Sequence, residues 1–204
     1  MVKPRRKSEE KRSLILAAAE KLFTENGFQS TSMDQVAKQA GVSKQTVYSH
    51  FGNKDELFVA AINKRCIAYD LAAEGVADPD PKKLRETLLM LALRFSGLIL
   101  SDAAINVYRT CVSQAESYPH VARMFYNTGP KQVVKIVADM MSAYADMGVL
   151  NITNPHTAAI HFLLLMQGEQ RMRIELNIEE KLSEEEHLNY LQDSVDMFIR
   201  AYAV

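Results

Sequence analysis

Residues 31–58 read TSMDQVAKQAGVSKQTVYSHFGNKDELF, and the fold follows from how this stretch divides. Ser32 and Gln35 have the spacing of a capping box, in which a hydroxyl and an amide satisfy the free N–H groups at a helix start. Val36, Ala37 and Ala40 then share one face at helical spacing. Gly41 stands where that helix must end, because glycine tolerates left-handed backbone. Val42 can plug the corner, and Ser43 can cap a second helix from Lys44 to Phe51. Helix, short glycine turn and helix make a helix-turn-helix. Gly52 breaks the second helix. Asn53 with Glu56 forms a further cap, so a third helix begins at Lys54.

The second helix has two unlike faces. Val47 and Phe51 are four apart and point inward. Lys44, Gln45, Tyr48 and Ser49 point elsewhere, with Thr46 and His50 beside them. That outer face carries an ammonium, an amide, hydroxyls and an imidazole, and no carboxylate. Such groups suit base edges and phosphate oxygens in a major groove. A solvated helical hairpin has the same periodicity, so spacing alone leaves both readings open.

More of the chain bears on the choice. Ile15 to Ala19, Leu22-Phe23, Gly27-Phe28, Thr31-Ser32, Val36-Ala37, Ala40 to Ser43, Val47 to Phe51 and Lys54 to Phe58 together resemble the TetR family of bacterial transcriptional regulators. The likeness covers roughly the first 60 residues without a gap. It implies an all-α homodimer with an N-terminal three-helix DNA-binding domain, here 1–55, and a C-terminal helical ligand-binding and dimerisation domain, here 56–204. It also implies a palindromic double-stranded DNA operator and a small-molecule effector. Residues 112–130, VSQAESYPHVARMFYNTGP, resemble the C-terminal domain of the AefR-like subgroup.

Composition agrees with a helical protein that has a proper core. The 204 residues are 48% hydrophobic and 24% charged, with 8 Gly, 6 Pro and no Trp. A net charge of −1 hides an asymmetry. Residues 1–65 hold 12 Lys and Arg against 7 Asp and Glu, while residues 66–204 hold 12 against 18. Basic surface concentrates a polyanion, and it lies in the half with the helix-turn-helix. Cys66 and Cys111 have no metal-ligand spacing, so no zinc site is expected, and two buried thiols are the default. No stretch approaches the roughly 18 apolar residues of a membrane span. The reading is therefore a cytoplasmic protein with no membrane partner.

In chain order, residues 1–7 form a basic arm, either a solubilising tail or a minor-groove contact. Ser8 is expected to cap a supporting helix that ends near Gly27, after which Phe28 turns inward. A helix from Lys54 to about Glu74 leaves the DNA module and leads to a linker at Gly75 to Pro81. About nine helices are expected in all. The run Ala158 to Met166 is apolar nearly all round and must be buried on every side. With the last helix, from Ser183 to about Ala203, it is expected to build a four-helix dimer interface. A monomer core is the alternative.

The candidate DNA-binding residues are Thr31, Ser32, Ser43, Lys44, Gln45, Thr46, Tyr48, Ser49, His50 and Lys54, matched by position to the family. Lys44, Gln45 and Tyr48 suit bases; the others suit phosphates, although Ser32 and Ser43 also serve as caps. Candidate ligand contacts are Met90, Phe95, Tyr108, Cys111, Phe125, Tyr126, Phe162, Met166 and Gln170, with ten Met in the chain favouring an adaptable apolar cavity. No phosphate-binding loop, dinucleotide fingerprint, metal motif or catalytic spacing occurs, so neither an enzyme nor a cofactor is expected. The reading is a repressor released by a small apolar or amphipathic ligand. A thiol-based redox sensor and a ligand-independent DNA-binding dimer stand as alternatives.

Overall fold

A computed structural model describes residues 4–68, 71, 76, 78–178 and 182–204, with the side chains of residues 4–6 and 65–68 also outside the description. Among the described residues the chain is all-α. Its helices are α1 (Pro4–Ser30), α2 (Met33–Ala40), α3 (Lys44–Phe51), α4 (Lys54–Ala68), α5 (Leu84–Leu100), α6 (Asp102–Ser113), α7 (Pro119–Thr128), α8 (Pro130–Asp146), α9 (Pro155–Glu175) and α10 (Glu184–Tyr202). A single 3-10 turn, Pro81–Lys83, precedes α5, with Asp80 as its cap. Residues 1–3 of the basic arm, the side chain of Cys66, and Gly75 and Ala77 of the expected linker lie outside the described residues.

Two compact units emerge. The first joins residues 1–65 with residues 106–129; the second joins 66–105 with 130–204. The packing units therefore do not follow a boundary at residue 55: the end of α6 and all of α7 belong with the N-terminal helices.

The first unit is built on α1. Ile15, Ala19 and Phe23 of α1, Val36 of α2, Val47 and Phe51 of α3, and Leu57 and Phe58 of α4 are buried in one apolar cluster that also takes Cys111 and Val121. α1 starts at Pro4 and runs through Ser8, so Ser8 is not its cap. The glycine expected to end the helix instead bends it. Gly27 has φ 77° and ψ 173°, and the chain regains helical geometry afterwards to Ser30. The bend drops Phe28 into an aromatic trio, with ring centroids 5.9 Å from Phe23 and 5.1 Å from Phe58. The first pair is stacked and the second edge-to-face, and both arrangements add to plain area burial.

The second unit is a bundle of α5, α8, α9 and α10. Leu88, Leu91, Met140, Met141, Phe162, Met166, Val195 and Phe198 fill its centre, each at most 2% exposed. Phe162 meets Phe198 edge-on at 5.2 Å. Arg85 of α5 grips Asp196 of α10 through two N–H donors at 2.7 and 2.9 Å. The expected apolar run of α9 is buried on one side only: Ala158, Ala159, Phe162, Leu163 and Met166 face the core, while Leu164 is 58% exposed.

Candidate nucleic-acid interface

The local chemistry of residues 31–56 fixes two short helices rigidly. Ser32 Oγ accepts from Gln35 N at 3.2 Å, and Gln35 Oε1 accepts from Ser32 N at 2.7 Å, so the capping box is complete. α2 ends on Gly41 at φ 67° and ψ 33°. Gly41 N donates to Lys38 O and Val42 N to Ala37 O, the paired bonds that close a helix at a left-handed glycine. Ser43 Oγ then accepts from Thr46 N at 3.2 Å and starts α3. Asn53 Oδ1 accepts from Glu56 N at 2.9 Å and starts α4. Each helix end is satisfied by a residue within three positions of it, which is why eight-residue helices hold their form here.

α3 presents its outer face to solvent. Lys44, Gln45, Tyr48 and Ser49 are exposed, and Thr46 and His50 are half-buried beside them. Val47 and Phe51 are sealed beneath, at 0% and 3%. Ser49 turns its hydroxyl back to Thr46 O at 2.8 Å.

Three residues behave differently from a simple DNA contact. Thr31 is 1% exposed, and its hydroxyl donates to Gly27 O at 2.8 Å and to Leu22 O at 3.1 Å. It ties the bend in α1 to the start of α2, so its expected DNA contact has no exposed hydroxyl to make it. Lys54 Nζ donates to Phe28 O at 2.9 Å and sits 4.3 Å from the Phe28 ring centre. It neutralises the carbonyl-rich end of α1, and burial pulls its pKa below the ordinary lysine value against the opposing pull of Asp55. Lys44 is not a free cation either: Asp34 of α2 holds it, at 2.8 Å from Oδ1.

Sequence reading passed over two side chains on this unit. Asp34 is ten positions from Lys44 and carried no motif. Arg12 of α1 lies with its guanidinium 4.8 Å from the Phe51 ring centre, at the end of α3. Only the spatial meeting of helices reveals either one.

The ligand candidates divide between the two packing units. In the second, Phe162 and Met166 are fully buried, Phe95 is 6% exposed and Met90 packs partly against the same cluster. Gln170 is buried and its Oε1 accepts from Leu182 N at 3.0 Å. Sequence reading missed a polar pair within this unit: Ser96, 1% exposed, lies 2.7 Å from His187 Nε2. In the first unit, Cys111 is a buried free thiol, which burial pushes up to about 11. Tyr108 and Phe125 rings stand 6.4 Å apart, and Tyr126 is 58% exposed. No group of His, Cys, Asp and Glu able to hold a metal ion is found among the described residues.

Comparison with known proteins extends these observations. The family described as bacterial regulatory proteins, tetR family, matches residues 15–61. The family described as AefR-like transcriptional repressor, C-terminal domain, matches residues 86–204. The solved structure of the flavonoid-responsive regulator FrrA is 30% identical, with a TM-score of 0.75, over 95% of this chain and 97% of its own. A chain described as a TetR-family transcriptional regulator from Mesorhizobium loti MAFF303099 is 25% identical, with a TM-score of 0.78, over 97% of this chain and 98% of its own. The transcriptional repressor BepR of Brucella suis biovar 1 is 30% identical over 112 residues, 53% of this chain and 52% of BepR. The transcriptional activator FasR of Mycolicibacterium smegmatis is 39% identical over 56 residues, 28% of this chain and 26% of FasR. The chain spans about a quarter to a half of the length of the curated relatives it matches.

Proposed function

This chain belongs to the TetR family of helix-turn-helix transcriptional regulators, which are not enzymes, and we propose that it is a repressor that binds a palindromic operator as a homodimer and is released by a small ligand. The observation that carries the DNA reading is α3 itself: Lys44, Gln45, Tyr48 and Ser49 stand exposed on a helix fixed at both ends and free of carboxylates. Gln45 and Lys44 read base edges in this account. Tyr48 packs over the same edges, and Thr46, Ser49, His50 and the N–H groups at the α2 and α4 starts hold phosphates. Lys54 adds positive charge near the backbone while it caps α1. The DNA-binding domain is residues 1–55, and the rest of the chain binds the ligand and the second subunit.

Repression is favoured over activation by the description of the family that matches the larger part of the chain, residues 86–204. For the subunit contact we propose α9 and α10, where Leu164, Met172, Leu188 and Met197 are exposed apolar side chains. A dimer would place two copies of α3 about one helical turn of DNA apart. Such a regulator acts where the chromosome is, in the bacterial cytoplasm.

The effector is proposed to be apolar or amphipathic. Phe95, Phe162, Met166, Met90 and Gln170 are its candidate contacts in the second unit; Tyr108, Cys111, Phe125 and Tyr126 are those in the first. FrrA responds to flavonoids, so planar phenolic compounds are the first class to try. Release requires that the ligand bind the DNA-free state more tightly than the DNA-bound one. A thiol-sensing regulator gains no support at Cys111, whose protonated, buried thiol is a poor nucleophile.

The test is selection of binding sites by the full-length protein from randomised duplex DNA. Enrichment of a two-fold symmetric sequence supports the reading. A flat outcome, with no sequence enriched, removes it. A flavonoid panel added to the selected duplex then asks whether any member displaces the protein.

A further inference from the structure

The cation that opens the recognition helix is held by a carboxylate from the other helix of the motif. Lys44 is the first residue of α3, and Asp34 lies in the first turn of α2. Lys44 Nζ is 2.8 Å from Asp34 Oδ1 and 3.1 Å from Oδ2, so both oxygens engage it. The Tyr48 ring centre stands 5.9 Å from the same ammonium, one turn further along α3. Both partners of the pair are more than half exposed, at 59% and 63%. An exposed pair of this kind adds little to folding stability. A carboxylate on a surface that meets a polyanion also weakens general attraction to phosphate. A carboxylate in the first turn of α2 also steadies that helix through its dipole, but neither that nor non-specific binding accounts for its grip on the first cation of α3.

Base recognition explains it. A lysine on a free surface samples many rotamers and reads charge without direction. Beside Asp34 and Tyr48, the Lys44 ammonium sets a donor and an acceptor side by side about a hydrogen-bond length apart. The major-groove edge of a G·C pair offers the complement, with guanine O6 and N7 accepting and cytosine N4 donating. We propose that Asp34 is a specificity-determining residue: it positions Lys44 on guanine and itself accepts from cytosine, so that the pair reads one G·C base pair in each half-site.

This inference rests on the proposal that α3 reads DNA, and the two fail differently. Full-length protein and the variants D34A and D34N are put through the same selection from randomised duplexes. Affinities are then measured on the wild type's selected duplex and on a scrambled duplex of equal composition. The expected result for D34A is weaker binding to the selected duplex and tighter binding to the scrambled one, so that their ratio falls about tenfold or more. The variant's own selected sequence should lose the G·C preference at one position in each half-site. The thermal midpoint should shift by no more than the few degrees that one first-turn carboxylate contributes, which separates this from a folding defect. D34N keeps the shape but can donate, so its preference at that position should shift. An unchanged ratio with an unchanged selected sequence in both variants overturns the role of Asp34 alone. An equal loss on both duplexes overturns it too, since that marks a structural residue. Failure of the wild type to enrich any sequence overturns the DNA reading and this inference together.

Discussion

Gly27 carries the largest local demand in the first unit. Its backbone, at φ 77° and ψ 173°, is open to glycine and strained for any other residue, and a methyl placed there would stand 2.7 Å from Thr110 Cγ2. Gly27→Ala is therefore expected to destabilise by about 1–3 kcal/mol, read as a lowered thermal midpoint. Adding Thr110→Ser should restore only part of the loss, because it clears the methyl but leaves the backbone strain. His187 makes a different kind of demand. Its Nδ1 is buried without a hydrogen-bond partner, while Nε2 meets Ser96. Burial pulls its pKa below the ordinary imidazole value. The unfolded chain then binds a proton that the folded chain refuses. Stability is full above about pH 6.5, the ordinary value, and declines as pH falls from there toward the depressed folded value. Glu186 and Asp196 are lowered by hydrogen bonds from Ser183 and Arg85, so their contributions fade only below the usual carboxylate range of about pH 4. Urea unfolding between pH 7 and 5 should show the decline, and His187→Gln should flatten it. An equal decline in the variant would assign it to other groups.

Elements that announce their own ends were the most legible. Ser32 with Gln35, Gly41, Ser43, and Asn53 with Glu56 are each within three residues of the helix end they satisfy, and every one caps as its spacing implies. The inward pairs Val36-Ala37 and Val47-Phe51 are buried as their period implies. The misreadings share a cause. Ser8 has the composition of a cap, yet α1 begins at Pro4, because helix continuation depends on turns that a single residue does not reveal. Gly27 reads as a helix end and Gly168 carries no motif, but each bends a helix against a side chain distant in sequence. In α9, Gly168 sits at φ 57° and ψ −174°; a methyl there would come within 2.8 Å of the Tyr190 ring. The Tyr190 hydroxyl donates to Leu165 O at 2.7 Å, a carbonyl next to the break. Tyr190→Phe should cost about 1 kcal/mol by removing that hydrogen bond, while Gly168→Ala should cost at least as much by forcing both ring and backbone. Chemical denaturation of the two variants checks the order. Asp34 beside Lys44 was illegible for the same reason, since ten residues of helix and turn must fold before the two meet.

At the scale of the whole molecule, the basic balance of residues 1–65 and the acidic balance of residues 66–204 fit a protein that meets DNA with one part and a ligand and second subunit with the other. The division into packing units was not legible, because residues 106–129 join the N-terminal core through Cys111 and Val121, far along the chain. The dimer proposal makes its own prediction. Leu164 is 58% exposed on α9, so Leu164→Glu should leave the folded subunit intact. It should nevertheless convert the protein to a monomer by light scattering and weaken operator binding to that of a single half-site. The central claim, sequence-specific DNA binding by a dimer, is tested most directly by a salt series of binding. The full-length protein is measured on the DNA immediately upstream of its own gene and on random DNA, with light scattering for stoichiometry. The account predicts binding to the upstream DNA tighter by a factor of about 10³ or more, by one dimer or a pair of dimers. Equal, weak and equally salt-sensitive binding to both would contradict it, leaving at that locus only a basic surface attracted to phosphate.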